Sequence, residues 1–103
     1  MFLFYNGTQL SVNSTRIVHV GDNVTLTCDV YGANSYNQVY GLVDDKVVQL
    51  ENAFNTQTCL KNLTWRLTQL TINDTGVYTC GYVTTDDWNI NLHLIVQERQ
   101  EIC

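Results

Sequence analysis

Leu70-Thr71-Ile72-Asn73-Asp74-Thr75-Gly76-Val77-Tyr78-Thr79-Cys80 is the stretch from which the fold of this chain is read. Asn73, Asp74, Thr75 and Gly76 are turn formers set between two apolar runs, so the chain reverses there. Beyond the reversal, Tyr78, Cys80 and Tyr82 alternate with Val77, Thr79 and Gly81, the period of two of a half-buried strand over residues 77–83. Ahead of it, Leu63, Trp65 and Leu67 share one face of a run over 63–70. The quoted stretch therefore joins two strands that must bury facing sides.

The same rhythm extends in both directions. Residues 16–20 precede the turn Gly21-Asp22-Asn23, after which Val24, Leu26, Cys28 and Val30 alternate with Thr25, Thr27 and Asp29. Residues 38–43 and 46–50 flank Asp44-Asp45 and read as a hairpin. A run over 54–60 turns at Lys61-Asn62, and a last strand over 88–96 alternates Trp88, Ile90, Leu92, Leu94 and Val96 with Asn89, Asn91 and His93. Short strands spaced by turn residues, with no helix of useful length, predict an all-β sandwich. The 103 residues fit one domain, with the sandwich over about 8–97 and a short extension over 98–103 leading toward a stalk or a next segment. Six Tyr, no Pro, 45% apolar and 15% charged residues suit strands rather than disorder.

A net charge of −5 with only five Lys and Arg, scattered, excludes the basic patch that a nucleic-acid binder needs. Met1 to Phe4 is too short an apolar start for a signal peptide, and no run approaches the roughly 20 apolar residues of a membrane span, so an anchor is expected beyond Cys103. Asn6, Asn13, Asn23, Asn62 and Asn73 each begin an Asn-x-Thr or Asn-x-Ser sequon, five in all. That density predicts a glycosylated secretory product, and an even count of four Cys points to the same oxidising compartment.

Gly21-Asp22-Asn23-Val24-Thr25-Leu26-Thr27-Cys28 resembles the second strand of an immunoglobulin variable-type domain, and the stretch ending at Cys80 is similar to the corner between strands E and F of that family. The resemblance implies two antiparallel sheets with Greek-key connections and a Cys28 to Cys80 disulfide between them. It also implies that Gly76 permits a tight backbone path while Tyr78 returns its hydroxyl across the corner. Closing that loop is worth ~4 kcal/mol on the entropy account. Two departures stand out. The Trp expected about a dozen residues after the first Cys is absent, so Val39 or Tyr40 is expected to fill that space, with Trp65 compensating from across the sandwich. No Arg starts strand D, so Asp74 needs another partner, such as backbone N–H groups.

Thr58-Cys59, then Asn62-Leu63-Thr64, then Asp74-Thr75-Gly76-Val77-Tyr78, then a final strand ending near Cys103, is an order that resembles the immunoglobulin-like domains of cytomegalovirus and adenovirus immune-modulating membrane glycoproteins. Cys59 and Cys103 leave three arrangements open: a bond to each other, bonds outside this segment, or a disulfide-linked homodimer. The first requires the end of strand D to depart from its usual pole, because bridged Cα atoms lie within about 7 Å.

Catalytic and cofactor chemistry finds no constellation to carry it. His19 and His93 lack ligand spacing to any Cys or carboxylate, Ser11, Ser14 and Ser35 lack a nucleophile elbow, and Asp44-Asp45 and Asp86-Asp87 read as solvated turn acids. No enzyme activity, cofactor, metal or small-molecule substrate is expected.

Placed on the inferred strands, the sequons fall on the sheet of A, B, D and E and its ends, which leaves the sheet of C, C′, F and G bare and makes it the expected protein interface. Thr79, Val83, Asn89 and Asn91 point outward there, Tyr40 lies on strand C, and Thr84, Asp86, Asp87 and Trp88 form its tip with Tyr31 and Tyr36 nearby. Tyr and Trp anchor interfaces with large rigid area. Trp88 also shares the parity of Ile90 and Leu92, so core capping competes with partner contact. The functional expectation is an extracellular ectodomain, viral in the resemblance, that binds a host leukocyte surface protein. A host adhesion or receptor domain and a glycosylated spacer are the alternatives.

Overall fold

The computed structural model describes residues 2–31, 39–82 and 85–99, with residues 39, 82 and 85–89 described by backbone alone. Among the described residues ten strands form: β1 Phe2–Tyr5, β2 Thr8–Leu10, β3 Ser14–His19, β4 Val24–Val30, β5 Val39–Val43, β6 Lys46–Val48, β7 Glu51–Asn55, β8 Leu60–Leu67, β9 Gly76–Tyr82 and β10 Thr85–Gln97. A 3-10 turn over Ile72–Asp74 links β8 to β9. They make two five-stranded sheets, ordered β2-β1-β4-β8-β7 and β3-β10-β9-β5-β6. This is the expected sandwich. One pairing departs from the antiparallel expectation, since β3 runs parallel to β10, Ile17 opposite Ile95.

Alternation builds the core. β4 buries Val24, Leu26, Cys28 and Val30, and these meet Leu63 and Trp65 of β8, Tyr78 and Cys80 of β9, and Leu92, Leu94 and Val96 of β10. Cys28 and Cys80 bridge the two sheets with Cα atoms 6.3 Å apart. The corner behaves as the quoted stretch requires: the Tyr78 hydroxyl donates to the Asp74 carbonyl at 2.6 Å. Asp74 accepts from the backbone N–H of Thr71 at 2.8 Å, which answers its missing Arg.

Three expectations are corrected. The chain passes from β6 to β7 through Gln49-Leu50 alone, so of the two strands that a variable-type domain adds to this sheet β6 forms and the second has no room. The turn before β8 lies at 56–59, not at Lys61-Asn62, because the Asn55 side chain accepts the N–H groups of Gln57 and Thr58 and closes the chain earlier. Finally, the side chain of Val39 lies outside the described residues, and Tyr40 does not fill the space beside the disulfide from strand β5. Gly41 stands there, opposite Cys80, and a Cβ on it would come within 2.7 Å of the Trp65 ring. Trp65 fills the gap from the facing sheet, edge-on to Tyr78 at 6.0 Å, as the sequence anticipated.

The N-terminus holds a hairpin that the sequence reading passed over. Asn6 and Gly7 have φ of 46° and 84° and form a two-residue turn between β1 and β2, Tyr5 opposite Thr8. Asn-Gly suits such a turn because both positions need φ > 0. At the other end Arg99 reaches back to Asp22 at 2.7 Å and to the Val20 carbonyl, tying residues after β10 to the turn before β4.

Candidate protein-binding face

The two outer faces differ in chemistry, and the difference follows from which residues alternate against the core. On the β2-β1-β4-β8-β7 sheet, Thr25, Thr27 and Asp29 of β4 lie beside Asn62, Thr64 and Arg66 of β8, with Glu51 and Ala53 of β7 beyond. Polar groups there satisfy one another: Asn62 Nδ2 donates to Asp29, Thr64 donates to Asn62 Oδ1 at 3.1 Å, and Arg66 pairs with Glu51 at 3.2 Å.

The opposite outer face carries Thr15 and Ile17 of β3, Asn91, His93 and Ile95 of β10, Val77 and Thr79 of β9, Tyr40 and Leu42 of β5, and Val47 of β6. Registers align them in rows: Val47 opposite Leu42, Leu42 opposite Thr79, Thr79 opposite Asn91, and Ile95 opposite Ile17. Among the described residues, no Asp, Glu, Lys or Arg stands in these rows. Ile17 is 58% exposed and Val47 56% exposed, two large apolar side chains at opposite margins of one face. Single exposed apolar residues are ordinary. An uncharged sheet face flanked by two of them, with Leu42, Val77 and Ile95 half-buried between, has the composition of an interface core.

The expected contact residues divide. Asn91 and Tyr40 lie on this face, both half-buried. Thr79 lies there too but is 6% exposed, its hydroxyl donating to Asn91 Oδ1 at 2.6 Å, so it braces the neighbouring strand. Tyr31 is 59% exposed and stands edge-on to Phe2 at 5.5 Å, beside β1 of the other sheet. Asp86, Asp87, Trp88 and Asn89 belong to β10, with their side chains outside the description, and Tyr36, Val83 and Thr84 lie outside the described residues. Ile17, Leu42 and Val47 were missed by the sequence reading. The signal for Leu42 and Val47 was present, since both flank the Asp44-Asp45 turn at matching parity, and the signal for Ile17 was its alternation with Val18, which is buried.

The sequons are placed as follows. Asn62 lies on β8, in the middle of the polar face and not in a turn. Asn6 tips the β1–β2 hairpin, Asn23 precedes β4, and Asn73 is exposed in the 3-10 turn. Asn13 corrects the expectation of a bare second sheet: its Oδ1 accepts the Asn91 N–H at 2.9 Å, which sets it at the β3 edge of the uncharged face. Cys59 is a free, exposed thiol at the tip of the β7–β8 turn with φ of 54°, and Cys103 lies outside the described residues.

Beneath this face, among the described residues, Tyr78 has a phenol held well above its ordinary range. Burial, then the nearby Asp74 and Asp44 carboxylates, push its phenol up to about 12. Asp44 sits close because its Oδ1 accepts the Val77 N–H at 2.9 Å. A Cβ at position 76 would lie 2.9 Å from the Asp44 carboxylate, which is why Gly76 stands there.

The sequence pattern of the immunoglobulin I-set domain matches residues 9–85. Among solved structures, the first immunoglobulin domain of the mouse polymeric immunoglobulin receptor is 18% identical with a TM-score of 0.60, covering 98% of each chain. The immunoglobulin-like domain of mouse leukocyte-associated immunoglobulin-like receptor 1, solved as a strand-swapped dimer, is 20% identical with a TM-score of 0.59, over 85% of this chain and 93% of that one. A domain of human obscurin-like protein 1 is 13% identical with a TM-score of 0.59, over 97% of this chain and 89% of that one. No curated protein sequence matches the chain.

Proposed function

Because this chain belongs to the immunoglobulin I-set family, we propose that it is the protein-recognising ectodomain of a glycosylated cell-surface or secreted protein, working through the outer face of β3-β10-β9-β5-β6. One observation carries this reading: one outer sheet face is laced by mutual polar bonds, and the other is uncharged among its described side chains, with Ile17 and Val47 exposed at its margins. The function is binding, since desolvating an uncharged face on a partner costs little compared with desolvating paired charges.

The partner we propose is a host leukocyte surface protein, and the owner of the domain a viral immune modulator. The order of Cys59, the Asn62-Leu63-Thr64 sequon and the Tyr78 corner supports this, as does the sequon density. A host surface-receptor domain is the second reading, favoured by end-to-end coverage of the polymeric immunoglobulin receptor domain.

The test is a multimerised, fluorescent form of the chain applied to peripheral blood leukocytes. Staining of a leukocyte subset is expected, lost at least tenfold with Val47→Asp, which leaves a charge unpaired in the interface, and retained with Thr27→Asp on the polar face. Absence of staining, or loss with Thr27→Asp and not with Val47→Asp, contradicts the reading.

A further inference from the structure

Three of the five sequon asparagines share an arrangement that their sequence does not require. Asn6 Oδ1 accepts the Thr25 N–H, Asn13 Oδ1 accepts the Asn91 N–H, and Asn23 Oδ1 accepts the Gln69 N–H, each at 2.9 Å. The partners are 19, 78 and 46 residues away in sequence, so each side chain is tied to a neighbouring element and not to its own turn. A backbone N–H can be met only by the amide oxygen. Nδ2 is thereby turned away from the partner strand, and at all three positions it has no hydrogen bond among the described residues, while the residue itself is exposed. Asn62 shows the contrary arrangement, with Nδ2 donating to Asp29 and Oδ1 accepting from Thr64.

The hydroxyl that completes each sequon is idle. Thr8, Thr15 and Thr25 are exposed on β2, β3 and β4, and their hydroxyls bond to nothing among the described residues. The fold thus uses the asparagine carbonyl of each triplet and leaves unused the two groups that glycan addition needs, the amide nitrogen and the hydroxyl two residues on.

We propose that Asn6, Asn13 and Asn23 are N-glycosylation sites built as rigid mounts, in which the carbonyl locks the side chain to the sandwich and the sugar leaves from Nδ2 in a fixed direction. In the transfer, Nδ2 attacks the anomeric carbon of a lipid-linked oligosaccharide diphosphate. The new N–C bond forms as the C–O bond to the diphosphate breaks with its electron pair, and one Nδ2 proton is released. The carbonyl is untouched, so the strand-tying bond forms afterwards as the chain folds. At Asn13 the mount holds its glycan level with Asn91, which fences the β3 edge of the uncharged face and leaves the β9-β5-β6 side open to a partner.

The mounts rest on the reading that the chain passes through a secretory compartment, and not on what the face binds. The chain is secreted from a human cell line and released from its glycans by peptide N-glycosidase in water labelled with heavy oxygen, which marks each occupied asparagine. Label is expected at Asn6, Asn13 and Asn23. Amide exchange is then read at Thr25, Asn91 and Gln69 in the intact glycoprotein, in Thr8→Val, Thr15→Val and Thr25→Val, which remove the glycans alone, and in Asn6→Gln, Asn13→Gln and Asn23→Gln, which remove glycan and bond together. Protection is expected to survive Thr→Val and to fall on the order of tenfold at the matching amide in each Asn→Gln variant. No label at the three positions overturns the sites and the secretory reading together. Label with unchanged exchange in the Asn→Gln variants overturns the mounts alone.

Discussion

Gly41 and Trp65 exchange the roles that a large residue on β5 and a smaller one on β8 would otherwise hold beside the disulfide. The indole lies over Gly41 from the facing sheet, and a Cβ there would clash with the Leu50 side chain as well. Gly41→Ala is therefore an overpacking substitution, expected to cost about 1–3 kcal/mol, measurable as a lower urea midpoint with an unchanged slope. Tyr78 makes a second test at this scale. Tyr78→Phe leaves the Asp74 carbonyl without its donor and should cost about 1–2 kcal/mol. Because the folded-state phenol titrates at about 12, above its ordinary value near 10, the stability it contributes is complete below pH 10 and lost as pH rises toward 12. A melting temperature followed from pH 9 to 12 should fall less steeply in Tyr78→Phe than in the unaltered chain. Both residues were legible in part: Tyr78 was fixed by its place two before Cys80, and Trp65 was named as the compensating ring. The partner of that ring was not legible, because only a close approach of sheets distinguishes a glycine that makes room from one that makes a turn.

Elements were readable where alternation was long and obscured where a short motif carried two meanings. The runs containing Cys28 and Cys80 hold seven alternating residues each, and both were placed from sequence. Asn6-Gly7-Thr8 was read as a sequon, which hid the strongest hairpin pair in the chain, and residues 8–10 became an edge strand unforeseen. The β7–β8 turn was displaced because Lys61-Asn62 has turn-like polarity, whereas the Asx bonds of Asn55 close the chain first. At this scale Gly7→Val is expected to destabilise by about 1 kcal/mol or more, since φ of 84° disfavours a β-branched residue. Amide exchange should quicken most at the β1–β2 pairs. Loss spread evenly over the whole sandwich would contradict a hairpin that folds around its own turn.

Across the whole molecule, the two sheets are asymmetric in charge. Acidic residues outnumber basic ones ten to five, yet among the described side chains none stands in the outward rows of the β3-β10-β9-β5-β6 sheet, whereas Asp29, Glu51 and Arg66 stand on the β4-β8-β7 face. The placement of the sequons predicted that this sheet would be the binding one, because sugars spared it; Asn13 at its edge removes that reason and the uncharged rows of described side chains replace it. The most direct measurement is a glycan wedge driven into the face. His93→Asn with Ile95→Thr creates a sequon on β10 in the middle of the uncharged rows, and Glu51→Asn with Ala53→Thr creates one on β7 of the polar face. With both confirmed as occupied and folded, leukocyte staining by the multimerised chain should be abolished by the first and kept by the second. Staining that survives the β10 glycan would contradict the assignment of this face.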